Sequence, residues 1–205
     1  MAEPVVLVHG LWMNALAMLP LANRIQRAGF DVTRFGYRSV KRGLSENARA
    51  LAERCRHVGA EINLVGHSLG GLVILSMLNQ HADIKAKRVV LLGSPYADIA
   101  SARGFARFAG AGGMMGLSIA DWMGGARPGV PQGVELGVVA GDISFGLGRF
   151  LVALPPPNDG VVMLDETKVP GASDSIVVHV SHSGMLVSPE VGRAVCAFLR
   201  KGSFQ

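Results

Sequence analysis

Ile62-Asn63-Leu64-Val65-Gly66-His67-Ser68-Leu69-Gly70-Gly71-Leu72-Val73-Ile74-Leu75-Ser76-Met77-Leu78 is the stretch that decides the fold. Residues 62–65 form a short apolar run of strand length bounded by a glycine. Residues 69–81 are apolar nearly all round and longer than a strand of this kind, which predicts a buried helix. Between them, Gly66 and Gly70 stand two residues before and two after Ser68. A strand that feeds through a sharp turn into a helix packed on the same sheet is the building unit of a parallel α/β sheet.

Working outward, the same alternation recurs. Val5-Val6-Leu7-Val8 has no polar member and reads as a central parallel strand buried on both faces. Residues 16–28 carry helical spacing and are followed by Gly29 as a cap, and 30–37 read as a strand. A second amphipathic helix opens at Ser45-Glu46, places Leu44, Ala48, Leu51, Ala52 and Cys55 on one stripe, and ends near Gly59. Downstream, strands are predicted at 88–92, 134–140 and 175–180, with a final helix at 189–200. The implied architecture is α/β, a mostly parallel sheet with helices on both faces. Residues 94–132 break the pattern: they are rich in glycine, contain Pro95, Pro128 and Pro131, and scatter Phe105, Phe108, Met114, Met115, Trp122 and Met123 among them. This segment reads as an insertion, loosely helical at best. No repeat and no long linker divides the chain, and 205 residues of which 49% are apolar suffice for one core, so a single domain over 1–205 is expected.

Composition narrows the function classes. The net charge of +5 is spread along the chain, densest at Arg38, Lys41 and Arg42 and at Lys85, Lys87 and Arg88. Such scatter marks solvated faces and argues against a nucleic-acid partner, while remaining compatible with anionic surfaces, a membrane surface included, or acidic substrates. Cys55 and Cys196 lie far apart without metal-ligand or redox spacing and read as small buried hydrophobes. Met1-Ala2-Glu3-Pro4 leads straight into the first strand without signal-peptide features, and the apolar stretch 69–78 is well short of the ~20 residues of a membrane span. A cytoplasmic location is the expectation, with oligomeric state left open. Gly110-Ala111-Gly112-Gly113-Met114-Met115-Gly116 is not a dinucleotide fingerprint and follows no strand. There is no G-K-[ST] and no H-E-x-x-H. The chemistry is therefore expected to use protein groups, with neither cofactor nor metal.

Those groups centre on Ser68. G-x-S-x-G between a buried strand and a buried helix holds the serine on a strained turn with its hydroxyl projecting, which requires small residues at 66 and 70. The helix that starts there directs free N–H groups and its positive dipole end at the reacting centre. Leu69 N–H is one candidate oxyanion donor. His9-Gly10-Leu11, after the first strand, supplies the other, and Leu11 N–H is the choice.

With these motifs in place the sequence resembles the α/β-hydrolase family, and within it the compact bacterial lipases and esterases that carry an H-G-x oxyanion loop and a G-H-S-x-G turn. The resemblance spans nearly the whole chain. It implies that an acid and a histidine follow the serine on loops after later strands. Asn158-Asp159-Gly160-Val161-Val162 resembles the acid loop and His182-Ser183-Gly184-Met185-Leu186 the histidine loop, giving Ser68, Asp159 and His182 as the implied triad. Asp142 competes for the acid because it directly follows the strand 134–140. His179 is expected to be a strand residue, hydrogen-bonded in or beside the sheet. His67 is read as packing, His9 as shaping the oxyanion loop, and His57 and His81 as helix C-terminal residues. The resemblance implies a serine esterase acting on a small-molecule or lipid ester. Acyl transfer or thioester hydrolysis by the same triad, or a catalytically silent interaction module, are the alternatives. In this family an insertion at 94–132 forms a cap over the serine, so Met114, Met115 and Trp122 are expected to line an acyl pocket. The alternative is that these side chains cover the sheet as ordinary core.

Overall fold

Burial of the apolar runs on both faces produces one wholly parallel sheet in the computed structural model, which describes residues 2–97, 99, 116–145 and 154–205. Its strands are β1 Pro4–Val8, β2 Asp31–Phe35, β3 Ile62–His67, β4 Ala86–Leu92, β5 Glu135–Gly141 and β6 Asp174–Val178. They lie in the order β2-β1-β3-β4-β5-β6, every pair parallel. Successive side chains of a strand point to opposite faces, and the core divides accordingly. Val5, Leu7, Val65, Val90 and Leu92 pack under helices α1 (Leu19–Arg27) and α5 (Pro189–Lys201). Val6, Val8, Leu64, Val89 and Leu91 pack under α2 (Leu44–Arg56), α3 (Leu69–Gln80) and α4 (Leu117–Gly124). Among the described residues no helix is long and apolar enough to cross a membrane.

Boundaries differ from the sequence expectation where local chemistry intervenes. The helix read over 16–28 divides into a 3-10 turn, Ala15–Met18, and α1, because Pro20 lacks an N–H and suits only the first turn of an α-helix. Asn14 caps the 3-10 turn through Leu16 N–H at 2.9 Å. Helix α2 begins at Leu44, one residue before the expected Ser45. Its Gly43 cap offers no side chain, and Leu44 N–H donates instead to Asp121 Oδ2 of α4 at 2.7 Å. Strand β3 continues through Gly66 to His67, and β6 stops at Val178, leaving His179 outside the sheet.

The chain runs from β1 to β2 on one side and then returns past β1 to β3 on the other. The switch of direction falls between β1 and β3, and it is beyond the carboxyl ends of strands at such a point that open α/β sheets bind ligands. His9-Gly10-Leu11 leaves β1 and Ser68 leaves β3 at those ends.

Candidate active site

Ser68 sits at the turn between β3 and α3 with φ 54° and ψ −124°, and its N–H donates to Leu92 C=O at 2.8 Å at the end of β4. A non-glycine residue held at positive φ costs about 1–3 kcal/mol and persists only where its surroundings impose it. The constraint here is close approach of backbone. A Cβ at residue 66 would lie 2.6 Å from Gly71 Cα, and one at residue 70 would lie 2.2 Å from Val8 C=O. Only glycine fits either position, and the turn is locked between β1 and α3. Leu69 is the first residue of α3, so its N–H has no intrahelical acceptor and points out of the helix at the serine end.

The loop after β1 runs directly past the serine, because a Cβ on Gly10 would lie 3.1 Å from Ser68 Cβ. His9 holds this loop. Tyr37 N–H donates to His9 Nε2 at 3.3 Å, so the proton is on Nδ1, which donates to Gly10 C=O at 2.8 Å. Tyr37 also stacks on the His9 ring at 4.4 Å and donates its hydroxyl to His9 C=O at 2.8 Å. Burial lowers the His9 pKa, with the Gly10 bond opposing, which favours the neutral ring that Tyr37 requires. Tyr37 was not singled out in the sequence; an aromatic residue just past a strand carries no signal of such a contact. Leu11 is partly buried and is followed by Trp12 at φ 57°. Trp12 and Ser68 are the non-glycine residues with positive φ among those described, one in each loop that offers a candidate oxyanion donor.

Asp159 and His182 meet. Their Oδ2 and Nδ1 are 2.6 Å apart, with the residues 1% and 6% exposed, and His182 N–H donates to Asp159 C=O at 2.8 Å. The Asp159 carboxylate is fixed in turn by its own loop, with Oδ1 accepting Val161 N–H at 2.9 Å and Val162 N–H at 2.7 Å. Buried Asn158 anchors the loop, accepting Gly160 N–H at 2.9 Å and donating to Leu154 and Pro155 C=O at 3.2 Å. Asp142, the competing acid, instead binds His179 Nδ1 at 2.9 Å on the surface, where the His179 side chain is 81% exposed. His179 is therefore a solvated residue just beyond β6.

One further residue at the site escaped sequence reasoning, and another does more than the sequence implied. Gly93, at φ 55°, directly follows β4, and a Cβ there would lie 3.0 Å from Asp159 Oδ2 and 3.1 Å from His182 Nδ1. The pair from the β5 and β6 ends crosses over β4 through the space that glycine leaves. The only sequence signal was a glycine directly after an apolar strand. His67 packs as expected but also hydrogen-bonds: its Nε2 lies 3.1 Å from His182 C=O and its ring 4.7 Å from the His182 ring.

Trp122 is 2% exposed, in the core cluster of α2 and α3, edge-on to Tyr96 at 5.9 Å. Met114 and Met115, with Phe105 and Phe108, lie outside the described residues. Burial pushes the Cys55 thiol up to about 12 and raises that of Cys196, so neither is a thiolate nucleophile.

A model of the alpha/beta hydrolase family matches residues 5–197. Among solved structures, the mature form of lipase BlEst2 from Bacillus licheniformis superposes with a TM-score of 0.79 at 20% identity, covering 98% of this chain and 92% of that one. A monoacylglycerol lipase from Paleococcus ferrophilus gives 0.63 at 20% identity over 98% and 95% of the two chains. Carboxylesterase CesB from Bacillus subtilis gives 0.63 at 15% identity over 97% and 84%. At these identities the likeness is one of fold. No curated protein matches the chain in sequence. The family match covers almost the full length, and it falls on a parallel sheet whose β3 turn carries Ser68: the chain belongs to the alpha/beta hydrolase family.

Proposed function

We propose that the protein is a serine esterase that cleaves carboxylic esters through Ser68, His182 and Asp159. The observation that carries the reading is the buried 2.6 Å Asp159–His182 pair, brought across β4 toward a serine held at positive φ on a helix N-terminus. In this mechanism His182 Nε2 takes the Ser68 proton as Oγ bonds to the ester carbonyl carbon. The electron pair of the C=O bond moves to oxygen, which Leu11 and Leu69 N–H groups stabilise. Collapse of this intermediate breaks the bond to the alkoxy group, which leaves as the alcohol with the proton from His182. Water then attacks the acyl-enzyme, giving its proton to His182, and the acid departs as Ser68 regains its hydrogen. Asp159 keeps the proton of the resting imidazole on Nδ1 and stabilises the imidazolium.

Ser68→Ala is expected to lower p-nitrophenyl ester turnover by roughly three to six orders of magnitude with the melting temperature preserved. A fluorophosphonate should label the wild-type protein at Ser68 alone. Wild-type turnover in the folded Ser68→Ala variant would sink the reading.

A further inference from the structure

Among the described residues three hydrogen bonds hold His182. Its N–H and its ring Nδ1 both bind Asp159, at 2.8 and 2.6 Å, so these two fix His182 relative to its acid and would let the pair shift as one body. Its carbonyl accepts from His67 Nε2 at 3.1 Å, and of the three this bond alone refers the pair to the turn that carries Ser68.

We infer that His67 is a positioning residue, setting where the His182 imidazole stands relative to Ser68 Oγ by donating its Nε2–H to the His182 carbonyl; the inference rests on the triad proposed above. His67 ends β3, pairs in register with Leu92, and is bonded covalently to Ser68, so it shares the backbone that fixes the nucleophile. Its side chain is fully buried and its tautomer is set, since a carbonyl partner requires the proton on Nε2. Nδ1 has no hydrogen-bond partner among the described residues. A buried acceptor in that state costs about 1–3 kcal/mol, whereas an aliphatic side chain would fill the space without the cost. Burial, with the neighbouring His182 adding to it, lowers the His67 pKa to about 3, so the ring stays a neutral donor wherever the triad works. It neither adds a positive charge 4.7 Å from the imidazolium that forms on His182 nor competes for the Ser68 proton.

The test separates donor from packing. Glutamine places an amide N–H at the position of imidazole Nε2, asparagine reaches only to that of Nδ1, and leucine fills the volume without a donor. Because misplacement by about 1 Å can cost on the order of 100-fold in rate, His67→Leu and His67→Asn are expected to lower kcat and the fluorophosphonate labelling rate by about 10–100-fold. KM should change by less than about threefold, since substrate binding is untouched. His67→Gln should recover kcat to within about fivefold of wild type with a melting temperature no higher than that of the leucine variant. Wild-type kcat in the leucine or asparagine variant would overturn the inference, as would a glutamine variant no better than asparagine. If leucine prevents folding, the glutamine–asparagine comparison decides alone. Failure of the triad itself reads differently: the wild-type protein would then escape labelling at Ser68.

Discussion

At the scale of single residues, the sequence offered two acids and two histidines and the structure pairs them off. Asp159 takes His182 in the interior and Asp142 takes His179 in solvent. An exposed pair of the second kind contributes about 0–1 kcal/mol, so Asp142→Asn is expected to leave ester turnover within about twofold of wild type. Asp159→Asn should cost about four orders of magnitude in kcat, because the amide favours the wrong imidazole tautomer. Reversed results in the same kinetic assay would exchange the roles. The Asp159 loop was legible through the resemblance of Asp-Gly-Val-Val and its place ahead of the last strand, and in the structure the next residues give the carboxylate two N–H bonds, while the His67 bond to His182 joins residues 115 apart and has no local signature. His67 also carries a pH consequence. Its pKa lies near 6.5 in the unfolded chain and is lowered to about 3 in the fold, so between those values the unfolded chain binds a proton that the native state refuses. Stability from this group is full above about pH 6.5 and is lost as pH falls toward 3. The melting temperature of wild type relative to His67→Gln should therefore fall from pH 7 to pH 4. A difference constant over that range would show that His67 titrates normally.

At the scale of elements, apolar runs and periodicity identified the six strands and the four longer helices among the described residues. They failed at the ends. The cap of α2 comes from Asp121, 77 residues away, and Asn47 beside it binds Ser118 Oγ at 2.9 Å, so α4 finishes a helix that its own sequence leaves uncapped. Strand β4 is followed by a glycine whose importance is equally non-local. An alanine at 93 must adopt φ 55° and bring its Cβ to about van der Waals overlap with both Asp159 and His182. The backbone strain is about 1–2 kcal/mol, or roughly 2–8 °C for a chain of this size. Displacement of the Asp159–His182 pair is expected to cost a further 10–100-fold, roughly, in kcat. Gly93→Ala should thus lose activity out of proportion to its melting temperature; equal activity in the folded variant would mean that the pair has room to spare.

At the scale of the molecule, the site exists because of strand order. Ser68 leaves β3, while Asp159 and His182 follow β5 and β6, so the proposed base must reach across about three strand spacings, some 14 Å. The sequence order of strands, helices and motifs made the candidate site visible before their spatial order was known. The segment 94–132 was not legible in this way, because glycine and scattered aromatic residues give it neither the 2-residue nor the 3.6-residue period. Its described part holds α4, which turns Ile119 and Trp122 inward against α2 and α3 and leaves Leu117 and Met123 exposed. Trp122 fills the space beside Tyr96, and its C=O accepts from Arg127 Nη1, whose guanidinium also lies 5.1 Å from the ring centroid. Removing such a side chain leaves a cavity and costs about 3–5 kcal/mol, which for a chain of this length lowers the melting temperature by roughly 6–20 °C. If Trp122 is core, Trp122→Ala should show that loss while its ranking of p-nitrophenyl esters by acyl-chain length stays that of wild type. If the tryptophan instead lines an acyl pocket, the ranking moves toward longer chains and the melting temperature falls by no more than a few degrees. Its 2% exposure favours the first outcome, because a ring that meets an acyl chain must present a face to the space the chain enters.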